Sequence, residues 1–551
     1  MNVLRAFFRS LFSRAAYAAT NLRLRHTHAE RRGAFRDDTQ KLGMIQSAET
    51  VSLAPPPSGL RPISPGIAGI RIAVLAALFT AAALYQASHL TALTDPDSWI
   101  HLRTGTWILE HHTIPKDGLF SQYPSLPWVD SCWGFDLLLA TACKLCGLRG
   151  LPVLLMVLQA AIAVALFLLA GGARKNFWPA AIVAAIAQCC LLNLQPRPSL
   201  ISIVFFALEL SLLLHARRSG QIRALLWLPP LFIFWVNLDH QFGYGLMALA
   251  LFFLATAVEY FAPPSASPWF ENRPAPAAFR FSTAVFGACL LATLFSPYTY
   301  RLPELIWQSA TSTAVDRYLP EFHSMRFRQP QDYLLLLLLL SAFLALGRRR
   351  SRDLFQISLL AVAAVISFRF QRDTWLVTLA AVGVFGDRFS ASQQEENSAP
   401  ARPAAPWETP LAATLVLTLL AASAIRLPDR NDLLMAKVAE TFPVRAADYI
   451  RQNRVPQPLF NTYPWGSFLT WYLPEYPVVI DNRLDLYRDS ISVPYFQLTL
   501  AEIPLESHPG FARAQTFLFD AKSPIAEALA TLPGFRVAYR DDLACVLMRR
   551  N

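Results

Sequence analysis

The stretch TDPDSWIHLRTGTWILEHHTIPKDGLFS, residues 94–121, follows a long apolar run and begins with two aspartates, Asp95 and Asp97, on either side of Pro96. Pro96 favours an extended backbone at Asp95, so a helix can begin at Asp97. The side chains that follow recur at helical spacing and form one stripe: Trp99, Leu102, Thr106 and Leu109. This pattern predicts an amphipathic helix over 98–112, directly beyond a hydrophobic helix.

The composition of the whole chain indicates an all-α, polytopic membrane protein. Of its 551 residues 54% are hydrophobic and 16% are charged, and the mean hydropathy is +0.33. Soluble domains carry about 25% charged residues. The net charge of +11 comes mostly from arginines in short loops between apolar runs, as in cytoplasmic loops beside a membrane. We therefore expect no nucleic-acid partner.

The arginine positions predict eleven crossings, with the N-terminus in the cytoplasm and the C-terminus outside. A further apolar segment, 133–148, is interrupted by Asp136 and Lys144, and counting it as a crossing would place arginine-rich loops outside. We expect this segment to lie along the outer membrane interface. The predicted crossings are 72–92, 151–171, 177–193, 198–216, 224–239, 243–261, 281–297, 331–347, 353–368, 373–387 and 409–426.

The chain divides into three predicted parts. A basic cytoplasmic tail covers 1–70, and a transmembrane domain covers 71–426 with a first external loop at 93–150. Residues 427–551 hold no long apolar run and predict a small external α/β domain. Within it, the segments PVVID (477–481) and FRVAYRDDLACVLMRR (535–550) predict strands, the latter as a hairpin around Asp541-Asp542. The segment SPIAEALATL (523–532) predicts a helix.

Asp97 and Asp95 are the candidate catalytic residues of the first loop. A carboxylate at the membrane surface could act as a general base, although an aspartate at a helix start is also a common N-cap. The two functions are compatible in one residue. His101 lies one turn further along the same helix and could face the same cavity, or it could be purely structural.

Polar residues of the other outer loops are candidate binding residues. Arg197, Arg301 and Arg372 could bind a phosphate group, because the planar guanidinium matches phosphate oxygens, or they could contact lipid headgroups in general. The turn WVNLDHQFG (235–243) could bind sugar hydroxyls or form a cap before Gly243. Its polar residues are Asn237, Asp239 and His240.

The C-terminal part contributes three further candidates. Trp465 could stack on a sugar, or it could pack this part onto the membrane domain. Asp481 and Arg483 follow a predicted strand, and strand ends commonly carry functional polar groups.

The first loop resembles that of the GT-C superfamily of membrane glycosyltransferases, which use polyprenyl-phosphate-linked sugars. In that superfamily an acidic motif follows the first transmembrane helix, and one or two helices lie along the membrane. The segment PDSWIHLRTGTWILEHHTIP (96–115) is similar to this loop in bacterial lipid-sugar transferases. The sequence Asp-Pro-Asp-Ser replaces the Asp-Glu of many relatives, which leaves open which aspartate is the base.

The C-terminal part resembles two groups of proteins. The segment NTYPWGSFLTWYLPEYPVVIDNRLDLY (461–487) is similar to uncharacterised bacterial GT-C-like proteins. Its Trp465-Gly466 pair faintly resembles the longer acceptor motif of oligosaccharyltransferase, but the aspartate of that motif is absent. The resemblance therefore implies no peptide acceptor.

The resemblance implies an inverting glycosyltransferase of the bacterial inner membrane. Its partners would be a polyprenyl-phosphate-linked sugar, membrane lipid, and an acceptor that is a glycan, a lipid or a protein. We assign no metal ligands from the sequence, although a divalent metal remains open as a cofactor. Two other functions compete with this one: a transporter or flippase for a lipid-linked glycan, and an inactive scaffold that binds glycolipid.

Overall fold

The computed structural model describes residues 65–172, 177–191, 194–263, 273–348, 352–395, 407–428 and 431–550. Most of the predicted basic tail therefore lies outside the described residues. From Pro65 to Leu169 the chain forms four helices, of which the second and third belong to the first loop. They are α1 (Pro65–His89), α2 (Asp97–His111), α3 (Trp133–Cys146) and α4 (Gly150–Leu169).

Helices continue through the remainder of the predicted membrane domain. The predicted crossings all coincide with helices, and two short helices, α10 and α11, lie in the loop before α12. The elements are α5 (Phe177–Cys190), α6 (Ser199–Ser219), α7 (Leu228–Trp235, after a 3₁₀ helix Ile222–Trp227), α8 (Phe242–Phe261), α9 (Pro276–Ala292), α10 (Arg301–Ala310), α11 (Thr313–Tyr318), α12 (Pro330–Arg348), α13 (Leu354–Arg369), α14 (Thr374–Glu395) and α15 (Glu408–Arg426).

Six helical segments of the described chain are long and apolar enough to cross a membrane, and four shorter helices are apolar as well. Lipid offers no hydrogen bonds to the backbone, so apolar runs of this length form helices. The number of crossings stays a prediction. The largest differences from the predicted boundaries are at the start of α1, which begins at Pro65 and not at residue 72, and at the end of α14, which continues to Glu395 beyond residue 387. Hydropathy marks the apolar centre of a helix, whereas its ends extend into polar sequence.

A sharp reversal separates α3 from α4. The two helices join through a short 3₁₀ turn in which Gly147 has a positive φ of 62°. A Cβ on Gly150 would lie 2.5 Å from the backbone nitrogen of Cys143, so α4 starts directly against α3. The segment 133–148 is therefore not collinear with α4. Its predicted position along the membrane interface stays a prediction.

Helices α2 and α3 pack closely against each other because of one glycine. A Cβ on Gly105 would lie 1.9 Å from the backbone oxygen of Asp136, closer than any side chain allows. This contact fixes the distance between the acidic start of α2 and the first turn of α3. Both helices therefore present their polar residues to a common space.

The C-terminal part, residues 427–551, contains six helices and a four-stranded sheet of order β1-β2-β4-β3. Strand β1 is parallel to β2, and β4 pairs antiparallel with both β2 and β3. The predicted hairpin and the predicted helix over 523–532 are confirmed by β3, β4 and α21. The elements are α16 (Asn431–Val438), α17 (Val444–Gln452), β1 (Leu459–Asn461), α18 (Tyr463–Tyr472), α19 (Leu484–Thr499), α20 (Pro509–Arg513), β2 (Thr516–Asp520), α21 (Pro524–Thr531), β3 (Phe535–Arg540) and β4 (Ala544–Arg549).

The prediction of a strand over PVVID was wrong. Only an isolated bridge joins Val478 to Ser121 of the first loop. The buried side chain of Asn461 takes the place of a neighbouring strand: its Oδ1 accepts from the Val479 N–H at 2.8 Å, and its Nδ2 donates to the Ile480 carbonyl at 2.8 Å. The backbone groups of this segment are thus satisfied without a sheet.

Aromatic packing attaches the C-terminal part to the first loop. Trp99 of α2 is fully buried and contacts Phe442, Phe468 and Trp471, with ring centroids 5.7, 5.4 and 4.6 Å away. Backbone hydrogen bonds add to this contact, since Gln122 N–H donates to the Val478 carbonyl at 2.9 Å. The same contacts bring residues 481–483 to the start of α2.

Candidate active site

Asp95 is the buried member of the acid pair, with 1% of its surface exposed. Its Oδ2 accepts from the backbone N–H and the hydroxyl of Ser98, at 3.0 and 2.8 Å. Its Oδ1 accepts from Nε and Nη2 of Arg197, at 3.1 and 2.9 Å. Asp95 therefore caps α2 and anchors Arg197, so the expectation that Asp97 is the N-cap was wrong. Asp97 instead occupies the first helical position.

Asp97 is the accessible member of the pair. Its side chain is 21% exposed, and its Oδ2 lies 3.0 Å from Nε of Arg197. Its Oδ1 accepts a hydrogen bond from the side-chain amide of Asn482, a residue of the C-terminal part. Asp97 is thus held by a cation on one side and an amide on the other, and part of its side chain remains exposed.

Glu321 joins the acid pair to the second outer arginine. It lies in the 3₁₀ turn Pro320–Phe322. Its Oε2 is 2.9 Å from Nη1 of Arg197, and its Oε1 is 3.6 Å from Nη1 of Arg372. The guanidinium of Arg372 also lies over the ring of Phe322, 5.1 Å from the centroid. Arg197 forms ion pairs with three carboxylates, those of Asp95, Asp97 and Glu321. Among the described residues Arg372 forms a single long ion pair and is therefore the more weakly paired cation.

The surroundings shift the two aspartates in opposite directions. Burial raises the pKa of Asp95, and the nearby negative charge of Asp97 raises it further. Arg197 and Ser98 lower this pKa, but not enough to reverse the net rise. Burial also opposes ionisation of Asp97, but Arg197, Arg372 and His101 outweigh it and lower its pKa. Asp97 is therefore ionised at neutral pH, whereas the proton affinity of Asp95 is increased.

His101 faces the acid pair from the next turn of α2. Its Nδ1 lies 2.6 Å from Oδ1 of Asp136 on α3, and its side chain is 17% exposed. Burial lowers the pKa of His101, but the charge of Asp136 and the hydrogen bond between them reverse the direction and raise it above 6.5. When His101 is protonated, it pairs with Asp136 and also favours the ionised form of Asp97.

The shift of His101 predicts a pH-dependent stability. Because the folded pKa lies above the unfolded one, the stabilisation is complete below about pH 6.5 and is lost as the pH rises through the folded pKa. We expect His101→Gln to remove about 1 to 3 kcal/mol at low pH and little at high pH. Thermal unfolding in detergent between about pH 5 and 8 measures this. His111→Gln, at the exposed end of α2, is the matched control, and an equal slope in His101→Gln and wild type would contradict the prediction.

The turn between α7 and α8 holds a second polar group. The amide of Asn237 is used within the protein: its Oδ1 accepts from Trp133 Nε1 at 3.1 Å and its Nδ2 donates to the Phe295 carbonyl at 2.9 Å. Asp239 is buried, and its Oδ1 lies 3.2 Å from Nδ1 of the half-buried His240. This turn therefore contacts the first turn of α3, and sugar binding by these residues stays a prediction.

The other predicted binding residues lie in protein contacts or away from the acid pair. Trp465 is buried and donates to the Thr441 carbonyl at 3.2 Å, so it packs within the C-terminal part. Asp481 and Arg483 form a buried ion pair with each other at 2.7 Å. Arg301 is exposed at the start of α10 and forms no ion pair with the described residues. None of these four residues forms a hydrogen bond or an ion pair with Asp97 among the described residues.

Two residues near the acid pair, Glu321 and Tyr463, were not predicted from the sequence. Asn482 belongs to the predicted functional segment Asp481-Asn482-Arg483, but the strand-end pattern does not indicate which of the three side chains reaches Asp97. Burial raises the pKa of Tyr463 well above its usual range, and the charges of Asp97 and Glu321 add to the effect. Glu321 could have been found as an acid in an outer loop rich in arginine, although nothing in its neighbouring sequence links it to Asp97.

Comparisons with known proteins identify the architecture. No protein-family model and no curated protein sequence matches the chain. The apo structure of the oligosaccharyltransferase of Archaeoglobus fulgidus is similar over 83% of this chain and 70% of that one, with a TM-score of 0.51 and 12% identity. ArnT of Cupriavidus metallidurans bound to undecaprenyl phosphate aligns over 88% of this chain and 98% of its own, with a TM-score of 0.39 and 13% identity. Apo ArnT gives a TM-score of 0.40 and 14% identity over 88% and 97%.

Proposed function

We propose that this multi-pass membrane protein, which has the GT-C fold of membrane glycosyltransferases, transfers a sugar from a polyprenyl-phosphate donor to an acceptor hydroxyl at the outer face of the membrane. One observation carries the proposal. Asp97 is an ionised, partly exposed carboxylate at the start of a juxtamembrane helix, held by Arg197 and Asn482. Such a carboxylate has the charge state and the access that a general base requires.

Arg372 is the arginine that we assign to the donor phosphate. Its side chain is 24% exposed, and its only ion pair among the described residues is the 3.6 Å contact with Glu321. A phosphate can displace such a weak partner and form charge-assisted hydrogen bonds with the guanidinium fork. Arg197 instead holds Asp95 and Asp97 in place. The sequence did not distinguish Arg197 from Arg372, whereas their different contacts assign them different roles in this proposal.

The proposed reaction is a single displacement. The acceptor oxygen attacks the anomeric carbon of the sugar and forms the new glycosidic bond. The bond from that carbon to the phosphate oxygen breaks, and polyprenyl phosphate leaves with the electron pair. The proton of the acceptor hydroxyl passes to Asp97. Attack from the face opposite the phosphate inverts the configuration of the anomeric carbon.

The experiment that tests this function follows the donor, because the acceptor is unknown. The purified protein in lipid nanodiscs is incubated with radiolabelled polyprenyl-phosphate sugars and an extract of envelope glycans and lipids. We expect release of polyprenyl phosphate and transfer of the label to one acceptor fraction. An intact donor with every sugar and extract, in protein shown to be folded, would contradict the proposal.

The orientation of the site provides a further prediction. The arginine pattern places Asp97 and residues 427–551 outside, so alkaline phosphatase fused after Asn551 should be active in intact cells. The same enzyme fused after a truncation within the loop at 396–406 should be inactive, because that loop is predicted to be cytoplasmic. The opposite result for the two fusions would place the acid pair on the cytoplasmic side.

One observation favours a transporter as a second candidate function. Glu209 in α6 is fully buried, and neither carboxylate oxygen has a hydrogen-bond partner among the described residues. Ionisable residues within membrane helices often mark ion or proton pathways. Glu209→Gln in vesicles separates the two functions: it should stop translocation of a lipid-linked glycan if the chain is a transporter, and it should leave sugar transfer measurable if the chain is a glycosyltransferase.

A further inference from the structure

A group of potential metal ligands lies where the first loop meets the turn between α7 and α8. Cys132 precedes α3, and Asp239 and His240 follow α7. The Sγ atom of Cys132 lies 4.0 Å from Oδ1 of Asp239 and 4.0 Å from Nδ1 of His240. The Asp239 oxygen and the His240 nitrogen are 3.2 Å apart. Three different donor atoms thus form a small triangle.

The dimensions of this triangle match the coordination sphere of a zinc ion. Zinc binds sulfur at about 2.3 Å and nitrogen or carboxylate oxygen at about 2.0 to 2.2 Å, almost always with tetrahedral geometry. Ligand atoms of such a sphere are roughly 3.3 to 3.6 Å apart. The observed separations differ from these values by at most about half an ångström, which a change of side-chain torsion can supply. We propose that Cys132, Asp239 and His240 bind a divalent transition-metal ion of the Zn²⁺ type.

Two buried acidic side chains at the same place support a cation. Asp130 and Asp239 are 3% and 1% exposed, and neither forms an ion pair with an arginine or lysine of the described residues. Asp130 adjoins the triangle, since its Oδ1 accepts from the Cys132 N–H at 3.2 Å. Its Oδ2 has no hydrogen-bond donor in the described part of the chain. Buried carboxylates without cations are costly, and a bound metal ion would compensate them.

The position of Asp239 is fixed by side chains behind it. The hydroxyl of Ser202 donates to Oδ2 of Asp239 at 2.5 Å, and Trp235 Nε1 donates to the Ser202 oxygen at 2.7 Å. This chain of hydrogen bonds leaves Oδ1 for the triangle. Hydrogen bonds of this kind orient metal ligands, and their loss costs about 10- to 100-fold in affinity.

The donor set also selects the ion. A thiolate and an imidazole favour zinc, cobalt or copper over magnesium and manganese, which prefer oxygen. Three protein ligands leave a fourth position, and the side chain of His240, 36% exposed, connects it with solvent. The inference does not depend on sugar transfer. A bound ion would join the end of the first loop to the turn after α7.

Metal content and a cobalt spectrum test the site. The full-length protein, purified through a tag without histidines, is dialysed against Zn²⁺ and then against buffer, and zinc is measured by mass spectrometry. We expect one equivalent of zinc in the wild type and its loss in Cys132→Ser. Cys146→Ser, which changes an exposed cysteine of α3, is the matched control and should keep the zinc. Co²⁺ should produce a thiolate-to-cobalt charge-transfer band that disappears in Cys132→Ser alone.

A second variant keeps the test decisive if Cys132→Ser does not fold. Ser202→Ala leaves all three ligands in place and should weaken zinc binding by about 10- to 100-fold. Magnesium in large excess should not displace the ion from the wild type. Wild-type protein without zinc, zinc retained in Cys132→Ser, or equal affinity in Ser202→Ala would each overturn the proposal.

Discussion

Asp97→Asn is expected to leave the fold intact and to lower the rate of sugar transfer by about 10²- to 10⁴-fold, the usual contribution of a general base. The asparagine keeps an oxygen that can accept from Asn482, and Asp95 still holds Arg197 through its own hydrogen bonds. The loss is therefore chemical and not structural, because the amide cannot take the proton of the acceptor. The measurement is donor turnover at equal amounts of folded protein, with folding checked by thermal unfolding.

Two further variants show whether the loss of rate is specific to Asp97. Asp117→Asn changes an exposed aspartate of the same loop and should retain the wild-type rate. Asp95→Asn should reduce the rate less than Asp97→Asn, because Asp95 is buried and contacts the base only through Arg197. Full activity in Asp97→Asn would remove this residue from the mechanism. A greater loss of rate in Asp95→Asn would exchange the roles of the two aspartates.

Arg197→Met is expected to destabilise the protein by about 3 to 5 kcal/mol and to abolish turnover. The substitution leaves the carboxylate of Asp95 buried without a cation, which is the costly half of a broken ion pair. It also releases Asp97 and Glu321, whose contacts with Arg197 are 3.0 and 2.9 Å. The change in unfolding midpoint in detergent measures the stability, and donor consumption measures the activity.

The double variant Arg197→Met with Asp95→Asn separates the two effects. Neutralising the buried acid should recover most of the lost stability, since the uncompensated charge is gone, while turnover should stay low. Arg197→Lys keeps the positive charge but lacks the planar guanidinium that contacts three carboxylates. Its activity should therefore be as low as that of Arg197→Met, whereas its stability should be closer to that of the wild type. If the double variant is no more stable than Arg197→Met, the cost does not come from the buried charge of Asp95.

Arg372, the more weakly paired of the two arginines, is the residue proposed to bind the donor phosphate. Arg372 can release Glu321 when a phosphate approaches, whereas release of Arg197 would free both aspartates at once. Glu321 contacts both guanidinium groups, so under the proposed function it would connect donor binding with the position of the base. The acid pair, two arginines and Glu321 therefore form one electrostatic unit at the start of α2.

The sequence by itself determined the helices of the predicted membrane domain, and their arrangement is similar to that in the oligosaccharyltransferase structure. An apolar run in lipid must satisfy its own backbone hydrogen bonds, so its length and composition specify a helix without reference to the remainder of the chain. The start of α2 was equally local, because Pro96 and the stripe from Trp99 depend only on neighbouring residues. Both features can be derived from spacing alone.

Only the tertiary structure decided which side chains meet. Asn482 reaches Asp97 across 385 positions of sequence, and Glu321 reaches Arg197 across 124. The failed strand at PVVID has the same origin, since the amide of Asn461 satisfies a backbone that a local pattern assigns to a sheet. Cys132 meets Asp239 for a similar reason, since Gly134 lies directly against the Asn237 carbonyl of the turn after α7. The periodicity of a sequence indicates which face of a helix is buried. The partner of a polar side chain depends on how distant segments pack, and the spacing of residues along the chain carries no information about that packing.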